Sequence, residues 1–367
     1  MPLIHRRLVQ GAVIALSLIV AATMLRLALE WRQALADIDA MIVTPAALDL
    51  PAERPAPAGP SATERPPDEP TAAEQAPAPE ARPAPQPVAA TEAAPALSQE
   101  SLNILLLGTD ARPGDETTRT DALILVRIER DGGRVSMLSI PRDLWVEYPT
   151  GGEGRVNAAF TVGEKRFGPG GGAALTMSTV GRLLDVEVDN YVLINFQGFR
   201  TLIDELGGIA LDVPEAIYDP AYPTEDYGTI EVRFRPGPQL LDGERALIYA
   251  RTRHADSDFG RNQRQQLVLM AIFDRIRERG LLQQLTSLDD YTRAMRDYVK
   301  TDLSRSRMLE LAGFARGVSA DGVLRYAIDS TAIVDLRDPA TFAAEPAALR
   351  RIVRQFTGSA VSTAGGN

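Results

Sequence analysis

From Pro45 to Pro95 the chain alternates proline and alanine with Glu, Ser and Thr and contains no aromatic residue. Such a stretch cannot bury enough apolar area to offset the entropy of ordering it, so it is excluded from any core. As a tether its 51 residues span about 40 Å as a flexible coil and up to about 160 Å as polyproline II. It divides the chain unevenly. After Leu97 about 260 residues remain, enough for a domain with its own core.

Before the tether, Leu8 to Leu25 holds no charged side chain, a length that just spans a hydrocarbon core. Arg6 and Arg7 precede it, while Arg26 and Arg32 mix with Glu30, Asp37 and Asp39 behind it. That bias places the N-terminus inside and the rest of the chain outside the cytoplasm. A cleaved signal peptide is the competing reading, with Ala21 and Ala22 near a cleavage point, and it gives the same compartment. The expected division is a cytoplasmic tip and transmembrane anchor at 1–30, an extracytoplasmic linker at 31–98, a folded domain at 99–357 and a disordered tail at 358–367.

Composition narrows the chemistry. The chain has no cysteine, which excludes disulfides, thiolate metal sites and a cysteine nucleophile. Its two histidines, His5 and His254, exclude a multi-histidine metal site. A net charge of -10 argues against nonspecific nucleic-acid binding, which needs a basic face.

Within the domain, short apolar runs alternate with helical stretches, the pattern of an α/β fold with a central β-sheet flanked by helices. Leu102 to Leu107, Ala122 to Ile128, Val135 to Ile140, Tyr191 to Ile194, Ile209 to Val213 and Val323 to Ile328 read as strands. The first is apolar at nearly every position, as expected when both faces are covered. Gly172 to Leu184, Phe196 to Leu206, Gly243 to Tyr249, Arg261 to Arg279, Asp289 to Val299 and Ser304 to Arg316 read as helices. Asp242 is the expected cap of one helix and Gly207-Gly208 the stop of another.

Ligand sites in helix-covered sheets gather at strand ends. Asp110 closes the first strand and Asp121 opens the second, after Arg119, so a hairpin brings both carboxylates to one edge. Two carboxylates with phosphate oxygens make a normal magnesium shell, although aspartates at strand ends are also common turn formers. Ser139-Ile140-Pro141-Arg142-Asp143 ends the third strand, and its proline projects Arg142 from a fixed point. The densest signal runs from Arg251 to Gln266, where Arg251, Arg253, Arg261 and Arg264 accompany Asp256, Asp258, Gln265 and Gln266. Arg261 and Gln265 share a helix face. Guanidinium forks suit bidentate phosphate recognition, while pairing with Asp256 and Asp258 on a solvated face is the alternative. Gly168-Pro169-Gly170-Gly171-Gly172 precedes a helix but lacks the lysine of a phosphate loop, and it reads as a connector. His254 reads as a bystander among the arginines.

At these residues the chain resembles the LytR-CpsA-Psr family of cell-wall glycopolymer transferases. The resemblance is carried by Leu105-Leu106-Leu107-Gly108-Thr109-Asp110, Arg119-Thr120-Asp121, Ser139 to Asp143, Arg155-Val156-Asn157-Ala158 and Leu206-Gly207-Gly208. It continues through Ala250-Arg251-Thr252-Arg253 and from Asp258 and Arg261 to Arg264-Gln265-Gln266. It implies an α/β sandwich that takes a glycan linked to polyprenyl pyrophosphate and transfers the glycosyl phosphate to a peptidoglycan hydroxyl, with Mg2+ or Mn2+ as cofactor. Residue by residue, it implies Asp110 and Asp121 at the metal and Arg119, Arg142, Arg251, Arg253, Arg261 and Gln265 on the phosphates. Arg155, where the family usually has lysine, Asn157 and Arg264 join the expected substrate contacts. Asp258 or a metal-free Asp121 is the expected proton acceptor. The implied setting is a single-pass protein of the cell membrane with its C-terminal domain outside. Phe196, Phe199, Leu202 and Ile203 are the expected lining of an acyl groove. A polyprenyl-pyrophosphate hydrolase and a non-enzymatic lipid-phosphate-binding regulator are the alternative functions.

Overall fold

The computed structural model describes residues 32–48, 101–111, 119–130, 133–224, 228–252, 258–279, 293–318, 322–336 and 341–358. The membrane run from Leu8 to Leu25, Arg253, His254, Asp256 and the 358–367 tail beyond Gly358 lie outside them. Among the described residues no helix is long and apolar enough to cross a membrane.

The largest sheet is mixed, with the order β11-β6-β1-β2-β3-β12. β1 (Ser101–Thr109) lies at its centre, antiparallel to β2 (Thr120–Glu129) and parallel to β6 (Asn190–Asn195). β3 (Arg134–Ser139) continues antiparallel to β2 and is followed by β12 (Val323–Ala327), while β11 (Val299–Thr301) closes the other edge. Every strand expected from the sequence for this sheet is present. The apolar run of β1 has the cause proposed for it. Leu105 and Leu107 enter a core shared with α2 (Ala158–Phe167), α3 (Gly171–Leu184) and α8 (Pro346–Thr357). Leu102, Ile104 and Leu106 face the opposite way, toward Met308 and Leu311 of α7 (Arg305–Ala315).

A second core lies beside the sheet. It joins α4 (Phe196–Glu205), α5 (Gly243–Arg251) and α6 (Asp258–Glu278) to the two-stranded pairs β7 (Ile209–Val213) with β10 (Gly237–Leu241) and β8 (Ile217–Pro223) with β9 (Thr229–Phe234). The alternation along β7 buries Ile209, Leu211 and Val213 and exposes Ala210 and Asp212, the period-two pattern of a half-covered strand. Asp242 caps α5 by accepting from the Arg245 N–H at 2.8 Å. Gly207 and Gly208 take positive φ and stop α4.

Two expectations change. The helix expected over Asp289 to Val299 is described only from 293, and Val299 begins β11 instead, paired with Ile194. The linker expected from residue 31 does not begin there. Residues 32–41 form a helix, α1, that buries Ala34 and Met41. Its Asp37, 2 % exposed, meets Arg296 at 3.3 Å, and Val43 N–H donates to the Thr301 carbonyl at 2.7 Å. The Tyr191 hydroxyl donates to the Val43 carbonyl at 2.9 Å. The physical reason is that 32–43 still carries apolar and charged partners for the domain, whereas the Pro/Ala composition starts only at Pro45.

The connection between α2 and α3 is packed backbone to backbone. A Cβ on Gly171 would strike the Gly163 carbonyl and, at 2.7 Å, Phe167. The Gly170 and Gly172 N–H groups both donate to Glu164 Oε1 at 3.2 Å, so the start of α3 is occupied by the protein's own carboxylate. Gly171→Val should lower stability by about 1–3 kcal/mol through overpacking. By contrast Gly313→Ala, in the last turn of α7 with open space around it, should raise stability by up to about 0.5–1 kcal/mol. Urea unfolding of the two variants measures both, and equal effects would contradict the packing described.

Candidate functional site

The site is assembled from strand ends and helix ends. In the β1–β2 ladder Gly108 pairs with Ala122 and Thr109 with Thr120, leaving Asp121 as the extra residue of a bulge. Bulges re-aim side chains, and this one turns Asp121 into a cavity of about 260 Å³. Gly108 and Ala122 line the same cavity, where a Cβ on Gly108 would approach Ala122 Cβ to 3.1 Å. Arg142 enters from the turn after β3 and pairs with Asp121 and, at 3.4 Å, with Asp143. Asn157 ties these two segments together. Its N–H donates to the Arg142 carbonyl at 3.2 Å and its carbonyl accepts from Thr120 N–H at 3.4 Å.

The remaining wall comes from the second core. Arg251, the last residue of α5, lies with its guanidinium carbon 4.2 Å from the Phe196 ring centroid and 5.6 Å from that of Tyr222. It also donates to the Tyr222 hydroxyl at 3.0 Å. Arg261 and Gln265, one turn apart near the start of α6, face the same cavity, and Arg261 is 4 % exposed. The positive end of the α6 dipole lies at that turn.

The supports of these side chains are buried. Asp219, fully buried on β8, accepts from the Thr252 hydroxyl at 2.5 Å and from Ala221 N–H at 3.1 Å. Arg264 donates to the Tyr249 carbonyl at 3.0 Å and the Thr252 carbonyl at 2.6 Å, satisfying backbone oxygens at the end of α5. Gln266 holds α6 to the large sheet through the Ser139 hydroxyl and the Tyr326 carbonyl, both at 2.8 Å. Burial pushes the Tyr222 phenol above its ordinary value, and the neighbouring Arg251 opposes that shift.

The structure therefore brings Asp121, Arg142, Arg251, Arg261 and Gln265 to one cavity. It places the other expected residues elsewhere. Asp110 and Arg119 are exposed at the rims of their strands, and neither lines the cavity. Arg155 pairs with Asp143 at 3.3 Å, and the Asn157 backbone and Arg264 side chain brace the frame instead. The side chains of Arg253 and Asp258 lie outside the described residues. Of the expected acyl-groove residues only Phe196 lines the cavity; Ile203 is buried in the second core, with Phe199 and Leu202 packed against it. Tyr222, Asp219 and Pro223 line the cavity and were not anticipated. The one cue in sequence was the two tyrosines and one aspartate between Ile217 and Pro223.

Three guanidinium groups around one space define an α/β site suited to an anion. The LytR_cpsA_psr family model matches residues 71–344, and the chain belongs to that family. It is 36% identical over 220 residues to TagT of Bacillus subtilis strain 168, named a polyisoprenyl-teichoic acid–peptidoglycan teichoic acid transferase, covering 59% of this chain and 64% of that protein. A protein of the same description, TagU of Halalkalibacterium halodurans, is 33% identical over 226 residues, covering 60% of this chain and 67% of that one. The chain thus spans about two thirds of the length of these relatives. Among solved structures, B. subtilis TagV superposes with a TM-score of 0.55 at 28% identity over 71% of this chain and 98% of that chain. TagT bound to LI-WTA superposes with a TM-score of 0.53 at 29% identity over 71% and 90%.

Thr252→Val removes the donor to the fully buried Asp219 while keeping the side-chain volume. It should cost about 1–3 kcal/mol of stability, the penalty for a buried acceptor left short of a partner. Denaturant titration measures it, and a loss below about 0.5 kcal/mol would show that Asp219 does not depend on this bond.

Proposed function

We propose that this chain is a membrane-anchored phosphotransferase that moves a glycopolymer phosphate from a polyprenyl-pyrophosphate carrier to a peptidoglycan hydroxyl. The observation that carries the reading is the convergence of Arg142, Arg251 and Arg261 with Asp121 and Gln265 on one cavity, in a chain whose relatives are named teichoic acid transferases. Anchoring by Leu8 to Leu25, with the domain outside the cell membrane, belongs to the same reading. It suits a carrier that is itself a lipid.

In this reaction the acceptor oxygen attacks the phosphorus of the glycosyl phosphate. The bond from that phosphorus to the bridging oxygen breaks, polyprenyl monophosphate leaves, and the acceptor's proton passes to Asp258 or to a metal-free Asp121. No covalent enzyme intermediate is needed. Catalysis of phosphoryl transfer is mostly positioning and charge stabilisation. Arg251 and Arg261 would offset charge on the transferred phosphoryl and the leaving group. Arg142, already paired with Asp121 and Asp143, would hold the Asp121 side of the site.

A divalent metal belongs to the same reading. Asp110 and Asp121 flank the paired residues Thr109 and Thr120 where β1 ends and β2 begins, Asp121 in the cavity and Asp110 exposed at the rim of β1, and carboxylates are the oxygen ligands Mg2+ prefers. No group of three or more His, Cys, Asp or Glu residues that could hold a metal occurs among the described residues. Phosphate oxygens and water would therefore complete the shell. When bound, Mg2+ or Mn2+ would neutralise part of the pyrophosphate charge.

Incubating the full-length chain with a lipid-pyrophosphate glycan and peptidoglycan tests the reading. Labelled glycan on the wall with release of lipid monophosphate supports it; free glycosyl phosphate would indicate hydrolysis, and unaltered substrate would count against both. Arg251→Ala should lower the transfer rate about 100- to 1,000-fold, as for loss of one preorganised charge contact. A surface ion pair would give a loss below about 1 kcal/mol, so a near-normal rate removes Arg251 from the site. Chelation with EDTA should stop transfer, and added Mg2+ or Mn2+ should restore it; full activity after chelation would exclude the metal.

A further inference from the structure

Within the cavity, Tyr222 has an unbalanced hydrogen-bond inventory. Its hydroxyl accepts from Arg251 Nη1 at 3.0 Å, and no acceptor for its own proton occurs among the described residues. The side chain is 4 % exposed, and a buried hydroxyl proton ordinarily has a partner. What Tyr222 faces, besides Arg251, is the cavity it lines. Because burial raises its pKa, the phenol remains a donor at neutral pH.

Its placement is fixed with that of Arg251. A register shift between Asp219 and Tyr222 in the β8–β9 ladder sets the direction of Tyr222. Asp219, at the other end of that irregularity, accepts from Thr252, the residue next to Arg251. Phe196 covers the same guanidinium from the start of α4, whose cap Asn195 accepts from Gly198 N–H at 2.8 Å. One hydrogen bond and two rings thus hold Arg251 and Tyr222 as a pair.

We propose that Tyr222 is a substrate-binding residue whose hydroxyl, oriented by Arg251, donates its proton to a phosphate oxygen of the anion in the cavity. The inference rests on the anion-site reading above and adds to it a neutral O–H donor beside a permanent cation. Ionisation of the phenol would remove the donor and place a negative charge against the phosphate.

The test is titration calorimetry of the full-length chain in detergent with inorganic pyrophosphate and Mg2+. Tyr222→Phe should weaken binding about 10- to 100-fold, the effect of losing a hydrogen bond to a charged group, with an unchanged unfolding temperature. The wild-type chain should lose affinity at alkaline pH beyond the loss seen in Tyr222→Phe. A fluorinated tyrosine at position 222, nearly isosteric and more acidic, should move that loss to lower pH, a shift that a purely structural role would not produce. It also serves if Tyr222→Phe folds poorly. Binding within about twofold of wild type in Tyr222→Phe, with the same pH profile, would overturn the role of Tyr222 alone. A wild-type chain that does not bind pyrophosphate would overturn the anion-site reading together with it.

Discussion

Arg142, Arg251 and Arg261 are brought to one cavity of about 260 Å³, and like charges there repel one another. The fold keeps them in place by fixing their surroundings. Arg264 satisfies the carbonyls where α5 ends, the Thr252 to Asp219 bond fastens that end to β8, and Gln266 fastens α6 to β3 and β12. Arg142 is fixed differently, by direct pairing with Asp121 and Asp143. In the proposed function, an anion with two phosphate groups would relieve the repulsion.

Two helix starts illustrate how the same local physics is put to opposite uses. Both α3 and α6 present backbone N–H groups that attract negative charge. At α3 the glycine-rich turn looks like a phosphate cradle, yet Glu164 already fills it. At α6 the first turns carry Arg261 and Gln265 into the cavity. Electrostatic attraction at the first is settled within the protein, and at the second it is directed into the cavity.

Five of the six strands of the large sheet were legible as short apolar runs between polar turns, whereas the three residues of β11 carried no such signal, and the α6 face was legible because Arg261 and Gln265 are four residues apart. The elements that escaped notice have weak local signatures. β8 contains Pro220 and Pro223, which read as loop, and α2 contains Gly163 within a short run whose burial depends on α3. In the site, Arg261 and Arg264 are the same residue type on one helix, and only the tertiary fold sends one to the cavity and the other to the carbonyls of α5. Tyr222 and Asp219 were hidden for a related reason. Their partners Arg251 and Thr252 lie about thirty residues away, a pairing that no periodicity encodes.

The docking of α1 alters what the Pro/Ala-rich stretch can do mechanically. Residues 32–48 and β1 belong to the same compact unit, so contacts within the domain, and not the sequence that joins them, hold the two together. The distance from residue 32 to the cavity is therefore set by how α1 packs on the domain. A pull applied at residue 32 is borne by Asp37 on Arg296, Asp39 on Arg305 and the Val43 to Thr301 hydrogen bond. The load enters the sheet that carries the site at its β11 edge.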